Sequence, residues 1–454
     1  MKRILVANRG EIACRILRSC KRLGLETVAV HSDADAASLH VSLADRAVLI
    51  GGSAPAQSYL VGEKIVEAAR SSGADAIHPG YGFLSENEDF ARLVANADLI
   101  WIGPDPKSIE DMGDKERARL LAKAAGVPVL PGSARFAPGE LAGMDDAARP
   151  VGFPLLVKAA AGGGGIGMRR VDRVEDLKQA VESTQTMAAR AFGDGTVYLE
   201  RYIAEARHVE VQVFGFGDGR AIHLHERDCS TQRRFQKIIE ESPAPQLSAA
   251  TREAMCQSAA SLCAQEHYRG AGTIEFVLDT ETQRYYFLEM NTRIQVEHPV
   301  TEMVTGLDLV ELQIGLAGGQ PLLVHSQDDV NVSGHSIECR LYAERPAKGF
   351  LPAPGVLTRF DLPPSGAQVR IDTGVRSGDR ITHFYDPMIA KVIVHATDRG
   401  AAIERMLQTL GAISVEGVET NLAFLKRAVG HPAFRAGEVR TSFVDRHKAD
   451  LLAA

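Results

Sequence analysis

The chain has 454 residues, of which 45% are hydrophobic and 24% charged, so it can form soluble domains with sizeable cores. A formal net charge of −7 argues against a nucleic-acid-binding protein or a membrane-surface domain. The six cysteines contain no C-x-x-C pair, and the apolar run in "MKRILVANRG" is too short for a signal peptide. We therefore expect a cytoplasmic protein with reduced thiols and no membrane span.

Residues 1–112 alternate short apolar runs with helical patterns. Strands are predicted at "RILVA", "ETVAVHS", "ADAIHPG" and "LIWIG", and helices at "EIACRILRSCKRLG", "YLVGEKIVEAARSSG" and "SENEDFARLVANA". This alternation predicts an α/β domain with a doubly wound, mostly parallel sheet. Asp33 after the second strand is compatible with a dinucleotide-binding domain. However, the first turn reads "NRGE" and lacks G-x-G-x-x-G, which disfavours that alternative.

Residues 113–330 are predicted to form a second domain. A helix containing Lys115 is followed by "GVPVLPGS", and residues 135–150 read as a loose connection with Pro and Gly. Strands are then predicted at "FPLLVKAA", "TVYLERYI", "RHVEVQVFGF" and "AIHLHERDCS". A helix follows at "AATREAMCQSAASLCAQEHY", and a β-hairpin at "GTIEFVLDTETQRYYFLEMN".

Residues 162–167 read "GGGGIG" and match the dinucleotide-binding glycine fingerprint. In that class, and in P-loop proteins, the glycines open a helix. Here both flanks read as strands, and the next predicted helix begins only near Asp172. A glycine loop between strands is typical of a lid whose N–H groups approach phosphates, with Lys158 as an adjacent positive charge. An ordinary glycine-rich turn is the alternative.

One register of the predicted hairpin closes its turn at residues 280–284 and places Glu275 opposite Glu289. Facing like charges destabilise a sheet, and a divalent cation between them would remove that conflict. Asn291 shares a strand face with Glu289, and Mg²⁺ prefers such oxygen ligands together with substrate phosphates. The pattern predicts a metal site, with a solvated sheet edge as the alternative.

Two further segments carry positive charge that could bind an anion. "HERDCSTQRRFQKIIEESPAP" concentrates Arg and Lys, including Lys237, beside Gln232, although charge alone favours a solvated face. Residues 331–446 are predicted as a C-terminal α+β domain with strands at "HSIECRLYAE", "GVLTRFDLP", "QVRIDTGV" and "MIAKVIVHA". Arg340 lies on the polar face of the first of these strands. An ion pair of Arg340 with Glu338 or Glu344 is its structural alternative.

Together these motifs resemble a known family. "ANRGEIA", "HPGYGFLSEN", "MGDK", "KAAAGGGG", "RHVEVQV", "ERDCSTQRR", "RGAGTIEF", "EMNTRIQVEHPVTEM", "ECR", "FLPAPG" and "YDPMIAK" are similar to the biotin carboxylase component of biotin-dependent acyl-CoA carboxylases. The similarity runs from residue 3 to about residue 445. It implies an N-terminal α/β domain (1–112), an ATP-grasp domain (113–330) whose lid spans about residues 131–203, and a C-terminal α+β domain (331–446).

The resemblance also implies roles for individual residues. ATP would be bound by Lys115, Lys158, Gly164, Gly165, Glu200, Arg201, Tyr202, Ile203, His208, Gln232, Glu275 and Glu289. Mg²⁺ or Mn²⁺ would be held by Glu275, Glu289 and Asn291. Bicarbonate would be bound by Lys237, Arg293, Gln295 and Val296. The catalytic residues would be Arg293, Glu297 and Arg340, with Arg340 and Tyr81 facing biotin.

The implied reaction begins with Glu297 as the general base that deprotonates bicarbonate. Attack on the γ-phosphate gives carboxyphosphate and ADP, and carboxyphosphate then breaks down to CO₂ and phosphate. The phosphate can deprotonate biotin, which is carboxylated. We expect burial to raise the pKa of Glu297 modestly, because a base must be strong enough to take the proton.

The family resemblance implies partners as well. No "AMKM"-like biotin-attachment motif occurs in the sequence, so we expect biotin on a separate carrier protein and a carboxyltransferase on another chain. Acetyl-CoA carboxylase, in fatty acid biosynthesis, is the default assignment, although propionyl-, methylcrotonyl- and urea-type systems share this component. A homodimer is also expected.

Two positions differ from the family pattern: Ile166 replaces a common Lys or Arg, and Phe235 replaces a His. Both substitutions remove polar contacts to the nucleotide. They leave open a regulatory subunit that has lost turnover. A ligase of the same superfamily that acts on another acid is the remaining alternative.

Overall fold

The computed structural model describes residues 1–160, 167–233 and 236–452. In residues 1–113 the elements are β1 (Arg3–Val6), α1 (Gly10–Arg22), β2 (Glu26–Ser32), α2 (Leu39–Leu43), β3 (Arg46–Gly51), α3 (Gly62–Ser72), β4 (Ala76–His78), α4 (Glu88–Asn96), β5 (Ile100–Trp101) and α5 (Pro106–Gly113). Every pairing in the five-stranded sheet β3-β2-β1-β4-β5 is parallel. Leu5, Val28 and Ile77 are fully buried in it, which confirms the predicted doubly wound sheet.

A small sheet and three helices follow the N-terminal unit. The elements are α6 (Lys115–Ala124), α7 (Met144–Val151), β6 (Leu155–Ala159), β7 (Met168–Val171), α8 (Leu177–Phe192) and β8 (Val197–Arg201). The prediction of a loose connection at residues 135–150 is wrong for the second half of that segment, because α7 forms there. Met144, Ala148 and Val151 recur at helical spacing, and they pack into the hydrophobic core beneath the sheet β7-β6-β8.

The largest sheet has eight antiparallel strands in the order β13-β12-β9-β10-β11-β14-β21-β19. Its first five strands and the neighbouring helices are β9 (Ala206–Phe216), β10 (Ala221–Arg233), β11 (Gln236–Ser242), α9 (Ala249–Gln265), β12 (Arg269–Asp279), β13 (Tyr285–Asn291), α10 (His298–Thr305) and α11 (Leu309–Ala317). The hairpin of β12 and β13 has the predicted register, with Glu275 opposite Glu289. This confirms the prediction on which the metal-site hypothesis depends.

The C-terminal part of the chain extends the same sheet. Its elements are β14 (His335–Tyr342), β15 (Glu344–Arg345), β16 (Leu351–Pro352), β17 (Gly355–Val356), β18 (Arg359–Asp361), β19 (Val369–Thr373), β20 (Arg380–Ile381), β21 (Met388–Ala396), α12 (Arg399–Gly411), β22 (Ser414–Glu416), α13 (Leu422–Gly430), α14 (Pro432–Arg435), α15 (Phe443–Arg446) and α16 (Lys448–Leu451). β11 and β14 pair directly across the division predicted at residues 330 and 331. The three domain ranges stay a prediction.

Two sequence-based expectations about the environment concern cysteines and membrane crossing. All six cysteines lie among the described residues, where each is buried and unpaired. Within residues 1–160, 167–233 and 236–452, no helix has both the length and the apolarity that a membrane crossing requires.

Buried ion pairs connect the N-terminal unit to the rest of the fold. Arg15 on α1 donates from Nη2 to Oε1 of Glu302 on α10 at 2.9 Å. Arg370 on β19 donates from Nη1 to Oε2 of the same carboxylate at 2.6 Å. Arg15 also lies 2.9 Å from Asp308. Glu302 is 7% exposed, so one desolvated carboxylate joins elements from all three predicted domains.

Glu302→Gln should destabilise the protein, because the substitution leaves two buried guanidinium groups with one carboxylate fewer. Removing one partner of a buried pair costs about 3 kcal/mol or more. We expect a thermal unfolding midpoint several degrees lower in scanning fluorimetry. Glu311→Gln is the matched control, because Glu311 faces the mostly exposed Arg22 across 3.5 Å. Equal shifts in the two variants would contradict the connecting role of Glu302.

Candidate active site

The ammonium group of Lys237 on β11 lies among three carboxylates. Its Nζ donates to Glu210 Oε2 at 2.5 Å, to Glu275 Oε1 at 2.8 Å and to Glu297 Oε1 at 2.7 Å. Burial lowers the pKa of Lys237, but the three negative charges outweigh this effect and raise that pKa well above its ordinary value. Lys237 therefore stays charged and holds the three carboxylates together.

Strand register places a row of charged side chains around this lysine. Glu210 on β9 pairs with Glu275 on β12, which in turn pairs with Glu289 on β13. Arg227 on β10 pairs with Glu210, and its Nε donates to Glu210 Oε1 at 2.6 Å. Charges of both signs thus cross four neighbouring strands on one face. Glu210 and Lys237 lie 27 residues apart in the chain, and the sequence analysis did not predict their contact.

The three predicted metal ligands are neighbours in the structure. Asn291 Nδ2 donates to Glu275 Oε1 at 3.0 Å. Burial and the charge of Glu275 raise the pKa of Glu289, although Lys115 acts in the opposite direction. Carboxylate and amide oxygens are the hard donors that Mg²⁺ prefers, and a cation would remove the repulsion between the facing glutamates. The donor set therefore fits the predicted ion.

Arg293 is oriented by a residue that the sequence analysis missed. Its Nε donates to Glu86 Oε2 at 2.8 Å, and its Nη2 donates to Asn291 Oδ1 at 2.8 Å. The backbone N–H of Thr292 donates to Glu86 Oε1 at 3.1 Å. Glu86 precedes α4 in the N-terminal unit; it lies within the motif "HPGYGFLSEN", but the sequence analysis gave it no role. The contact attaches the predicted bicarbonate-binding arginine to that unit.

Glu297 stands between Lys237 and Arg340. Its Oε2 accepts from Arg340 Nη2 at 3.0 Å, while its Oε1 accepts from Lys237. Burial raises the pKa of Glu297, but Lys237, Arg340 and Arg227 together outweigh burial and bring the pKa below its ordinary value. The expectation of a modestly raised pKa is therefore wrong, because it counted the burial and missed the surrounding cations.

Arg340 has a second buried partner, Glu240 on β11. Arg340 Nη2 lies 2.6 Å from Glu240 Oε1, and Glu240 pairs across the strands with Glu338. Burial raises the pKa of Glu240 to about 7, although the neighbouring Arg340 lowers it. Burial likewise raises the pKa of Glu338 well above its ordinary value. Glu338 was considered as a partner of Arg340, whereas Glu240 was missed.

Four residues predicted to bind ATP line one cleft, namely Lys115, Lys158, Glu200 and Glu289. Lys158 Nζ donates to Glu200 Oε2 at 2.6 Å, so these two side chains are fixed relative to each other. The cleft lies between the small sheet and the β13 edge of the large sheet, and Phe287 provides part of its apolar lining. A cleft with this mixed lining can accommodate an aromatic base and a charged tail.

The other residues predicted to bind ATP lie elsewhere. His208 Nδ1 is 3.0 Å from Gln232 Nε2, and His208 Nε2 is 3.0 Å from Glu275 Oε2, so this trio borders the Lys237 cluster. Arg201 Nη1 donates to the carbonyl oxygen of Val151 at 3.0 Å. The structure does not bring Arg201, Tyr202 or Ile203 among the residues that line the cleft. Gly164, Gly165, Ile166 and Phe235 lie outside the described residues.

The two predicted biotin-facing residues share a second cavity. Tyr81 and Arg340 both line this space between the N-terminal and C-terminal parts of the chain, and Val296 also borders it. The carbonyl oxygen of Val296 accepts from Lys391 Nζ at 2.8 Å. Gln295 instead points towards the Lys237 cluster, where its Nε2 donates to Glu275 Oε1 at 2.9 Å. Arg340 therefore connects this cavity to the carboxylate cluster.

Comparison with known proteins gives the family. Family models match residues 1–109 (biotin carboxylase, N-terminal domain), 114–325 (carbamoyl-phosphate synthase L chain, ATP binding domain) and 338–446 (biotin carboxylase C-terminal domain). Biotin carboxylase 1 of Bacillus subtilis is 48% identical over 450 residues, which cover 98% of this chain and 99% of that protein. The chain belongs to the biotin carboxylase family.

Other relatives and solved structures agree with this assignment. The mitochondrial methylcrotonoyl-CoA carboxylase subunit alpha of Arabidopsis thaliana is 50% identical over 453 residues. The match covers 100% of this chain but 61% of that protein, so the chain spans about three fifths of this relative. A biotin carboxylase complex from Campylobacter jejuni has a TM-score of 0.92 and 44% identity, and the match covers 98% of this chain and 99% of that one.

A further solved structure was determined with ligands. It is the biotin carboxylase domain dimer of Hydrogenobacter thermophilus 2-oxoglutarate carboxylase with MgADP, ADP and bicarbonate. Its TM-score is 0.92 at 44% identity, with 100% of this chain and 99% of that chain covered. Family membership confirms the predicted resemblance and the α/β and α+β architecture with an ATP-grasp centre.

Glu240→Gln should change how thermal stability depends on pH. The pKa of Glu240 is about 7 in the fold against an ordinary 4.5, so the folded chain binds more protons than the unfolded chain between these values. The contribution of Glu240 to stability therefore falls as pH rises through this window. Glutamine does not titrate. We therefore expect the unfolding midpoint of the variant, relative to that of the unmodified chain, to rise as the pH increases from about 5 to about 8.

Glu67→Gln on α3 is the control for this comparison, because Glu67 is exposed. Its midpoint should follow the unmodified chain at every pH when both are heated at one scan rate. A difference between Glu240→Gln and the unmodified chain that does not change with pH would contradict the shifted titration.

Proposed function

We propose that this chain uses ATP and bicarbonate to carboxylate biotin that is presented by a separate carrier protein. The observation that carries the proposal is the continuous contact from Lys237 through Glu297 to Arg340. It joins the row of carboxylates beside the nucleotide cleft to the cavity that Tyr81 and Arg340 share. A phosphate donor on one side and a biotin ring on the other would meet at Glu297.

Bicarbonate would bind where positive charge and N–H donors converge, at Lys237, Arg293, Gln295 and the backbone of Val296. Lys237 and Arg293 already carry carboxylate partners in the fold. A bound bicarbonate would replace a carboxylate as the acceptor of one hydrogen bond from each of these two cations. Each cation would therefore keep the same number of charge-assisted hydrogen bonds. The site is thus prepared for an anion before the anion arrives.

Glu297 would act as the general base towards this bicarbonate. Its lowered pKa keeps it ionised at neutral pH, so it can accept a proton. If Lys237 donates to the bicarbonate instead of to Glu297, its positive charge is shared between the two anions. The pKa of Glu297 then rises, and Glu297 becomes a stronger base. This coupling would make Glu297 a stronger base only in the presence of its substrate.

The chemical steps follow from this placement. As Glu297 takes the proton, a bicarbonate oxygen attacks the γ-phosphorus of ATP, and the bond to ADP breaks to give carboxyphosphate. Carboxyphosphate then separates into CO₂ and phosphate, the phosphate takes the N1′ proton of biotin, and N1′ attacks CO₂. A Mg²⁺ or Mn²⁺ ion held by Glu275, Glu289 and Asn291 would offset phosphate charge. Lys115 and Lys158 would bind the phosphates from the cleft side.

Arg340 would stabilise the negative charge that develops on the biotin ureido oxygen as N1′ loses its proton. The guanidinium is buried, and Glu240 and Glu297 raise its pKa well above the ordinary value despite the opposing effect of burial. It is therefore a permanently charged donor that is largely shielded from water, where such an interaction is strong. Tyr81, whose hydroxyl donates to Glu11, would form part of the wall against the biotin ring.

The assembled enzyme, its subunits and its compartment belong to the same proposal. We expect a homodimer, supported by the dimeric structure from Hydrogenobacter thermophilus, that works with a biotin carboxyl carrier protein and a carboxyltransferase in the cytoplasm. Acetyl-CoA was the default acyl acceptor. The 50% identity to the alpha subunit of methylcrotonoyl-CoA carboxylase from Arabidopsis thaliana favours methylcrotonoyl-CoA as the acceptor instead.

The direct test is ADP release by the purified chain with Mg²⁺ and ATP, in the four combinations of bicarbonate and free biotin. We expect the highest rate only when both are present, because the base and the carboxyl acceptor lie on opposite sides of one site. Glu297→Gln should bind ADP normally and lose this stimulation. Turnover that ignores biotin would indicate a ligase for another acid, and no turnover would indicate a regulatory subunit.

Arg340→Ala should slow biotin carboxylation far more than it weakens nucleotide binding. Loss of one donor to a developing oxyanion typically costs about 10²–10³ in rate. Carboxybiotin formation and the ADP dissociation constant report the two effects separately. Arg345→Ala is the control, because Arg345 contacts Glu419 at 2.7 Å with a partly exposed side chain. An equal loss of ADP affinity in Arg340→Ala would refute the assigned role.

A further inference from the structure

A cluster of metal-binding residue types lies away from the site described above. His223 and His225 on β10 and Cys256 on α9 each have one potential ligand atom, and these atoms all lie within 4.8 Å of one another. His223 and Cys256 are 4% and 1% exposed, and His225 is half-buried. None of the three has a place in the proposed carboxylation reaction.

The side chain of His223 has an unused polar atom in this cluster. Its Nδ1 is buried and forms no hydrogen bond with any residue in the described parts of the chain. A buried polar atom without a hydrogen-bond partner is energetically unfavourable, and a bound ligand would remove that cost. The rest of His223 is well fixed, because its backbone N–H and carbonyl group each form a 3.0 Å hydrogen bond to the side chain of Gln327.

The second histidine is held in an unusual conformation. The register of β10 against β9 shifts between His223 and Glu226, and His225 within this bulge has a φ of 64°. Left-handed backbone is uncommon for a residue with a Cβ atom. The two imidazole rings stand edge to face with centroids 5.0 Å apart. The bulge thus positions a pair of imidazoles beside the Cys256 thiol.

The chemistry of the three groups suits a borderline-soft cation. Burial lowers the pKa of both histidines, to about 4 for His223, so their nitrogen lone pairs are available at neutral pH. Burial raises the pKa of the Cys256 thiol, so a bound cation would have to displace the thiol proton. Glu226 and Glu253 lie close enough to favour positive charge there, against the opposing charge of Arg252.

We propose that His223, His225 and Cys256 form a binding site for one Zn²⁺ ion, which fastens helix α9 to strand β10. Tetrahedral zinc with nitrogen and thiolate ligands needs ligand atoms about 3.3–3.6 Å apart, so side-chain shifts of about an ångström complete the site. Two imidazoles and one thiolate exclude Mg²⁺, which requires oxygen ligands. A water molecule would supply the fourth ligand.

The test uses the full chain, stripped with a chelator, then given Zn²⁺ in the presence of excess Mg²⁺ to protect the carboxylate cluster. After gel filtration, we expect one zinc per chain by elemental analysis. Co²⁺ in place of Zn²⁺ should produce a thiolate-to-cobalt charge-transfer band. Since even the loss of a residue that supports a ligand costs about 10–100-fold in metal affinity, Cys256→Ala should weaken binding by more than about 100-fold and abolish the band.

Two further variants complete the design. His225→Asn keeps a residue that tolerates positive φ and should also lose the metal, so a folded variant is available if Cys256→Ala does not fold. Cys263→Ala is the matched control, because this buried thiol lies on the same helix and its pKa responds to burial alone. It should bind zinc like the unmodified chain. No stoichiometric zinc, or equal binding by all variants, would overturn the proposal.

Discussion

The interaction between the Lys237 ammonium and three buried carboxylates is the constraint on which the candidate site depends. Glu210 and Glu275 are neighbours in strand register, and Glu297 immediately precedes α10, the helix that follows the hairpin. Three carboxylates in so small a volume repel one another strongly unless a cation is shared among them. Lys237 provides that cation from a different strand, so the sheet, the helix and the charge distribution form one unit.

The same constraint positions the cations to which the proposed function assigns anion binding and charge stabilisation. Lys237, Arg293 and Arg340 are all paired with carboxylates. Under the proposed function, an incoming anion would exchange with a carboxylate that is already present, and the cations would be held in place beforehand. Preorganised charge of this kind provides most of the stabilisation that enzymes give to developing negative charge.

Strand β10 connects two separate features of the molecule. At its start, His223 and His225 face Cys256, and a little farther along, Arg227 is completely buried and contacts Glu210. Arg227 also donates to Gln212, Thr301, Thr273 and Gln295. A zinc ion at the start of the strand would therefore stabilise the strand that holds the anchor of the carboxylate row. The sequence showed neither the His–His–Cys cluster nor its proximity to that anchor.

The sequence by itself determined the features that depend on neighbouring residues. Alternation along a strand placed Asn291 on the same face as Glu289, a short turn set Glu275 opposite Glu289, and strand–helix alternation predicted the parallel sheet. Only the tertiary structure decided the electrostatics, because Glu297 meets Lys237 from 60 residues away, and Arg293 meets Glu86 from 207 residues away. A pKa depends on every charge nearby in space, and distance along the chain carries no information about those charges. For this reason the burial of Glu297 was foreseeable, whereas the sign of its pKa shift was not.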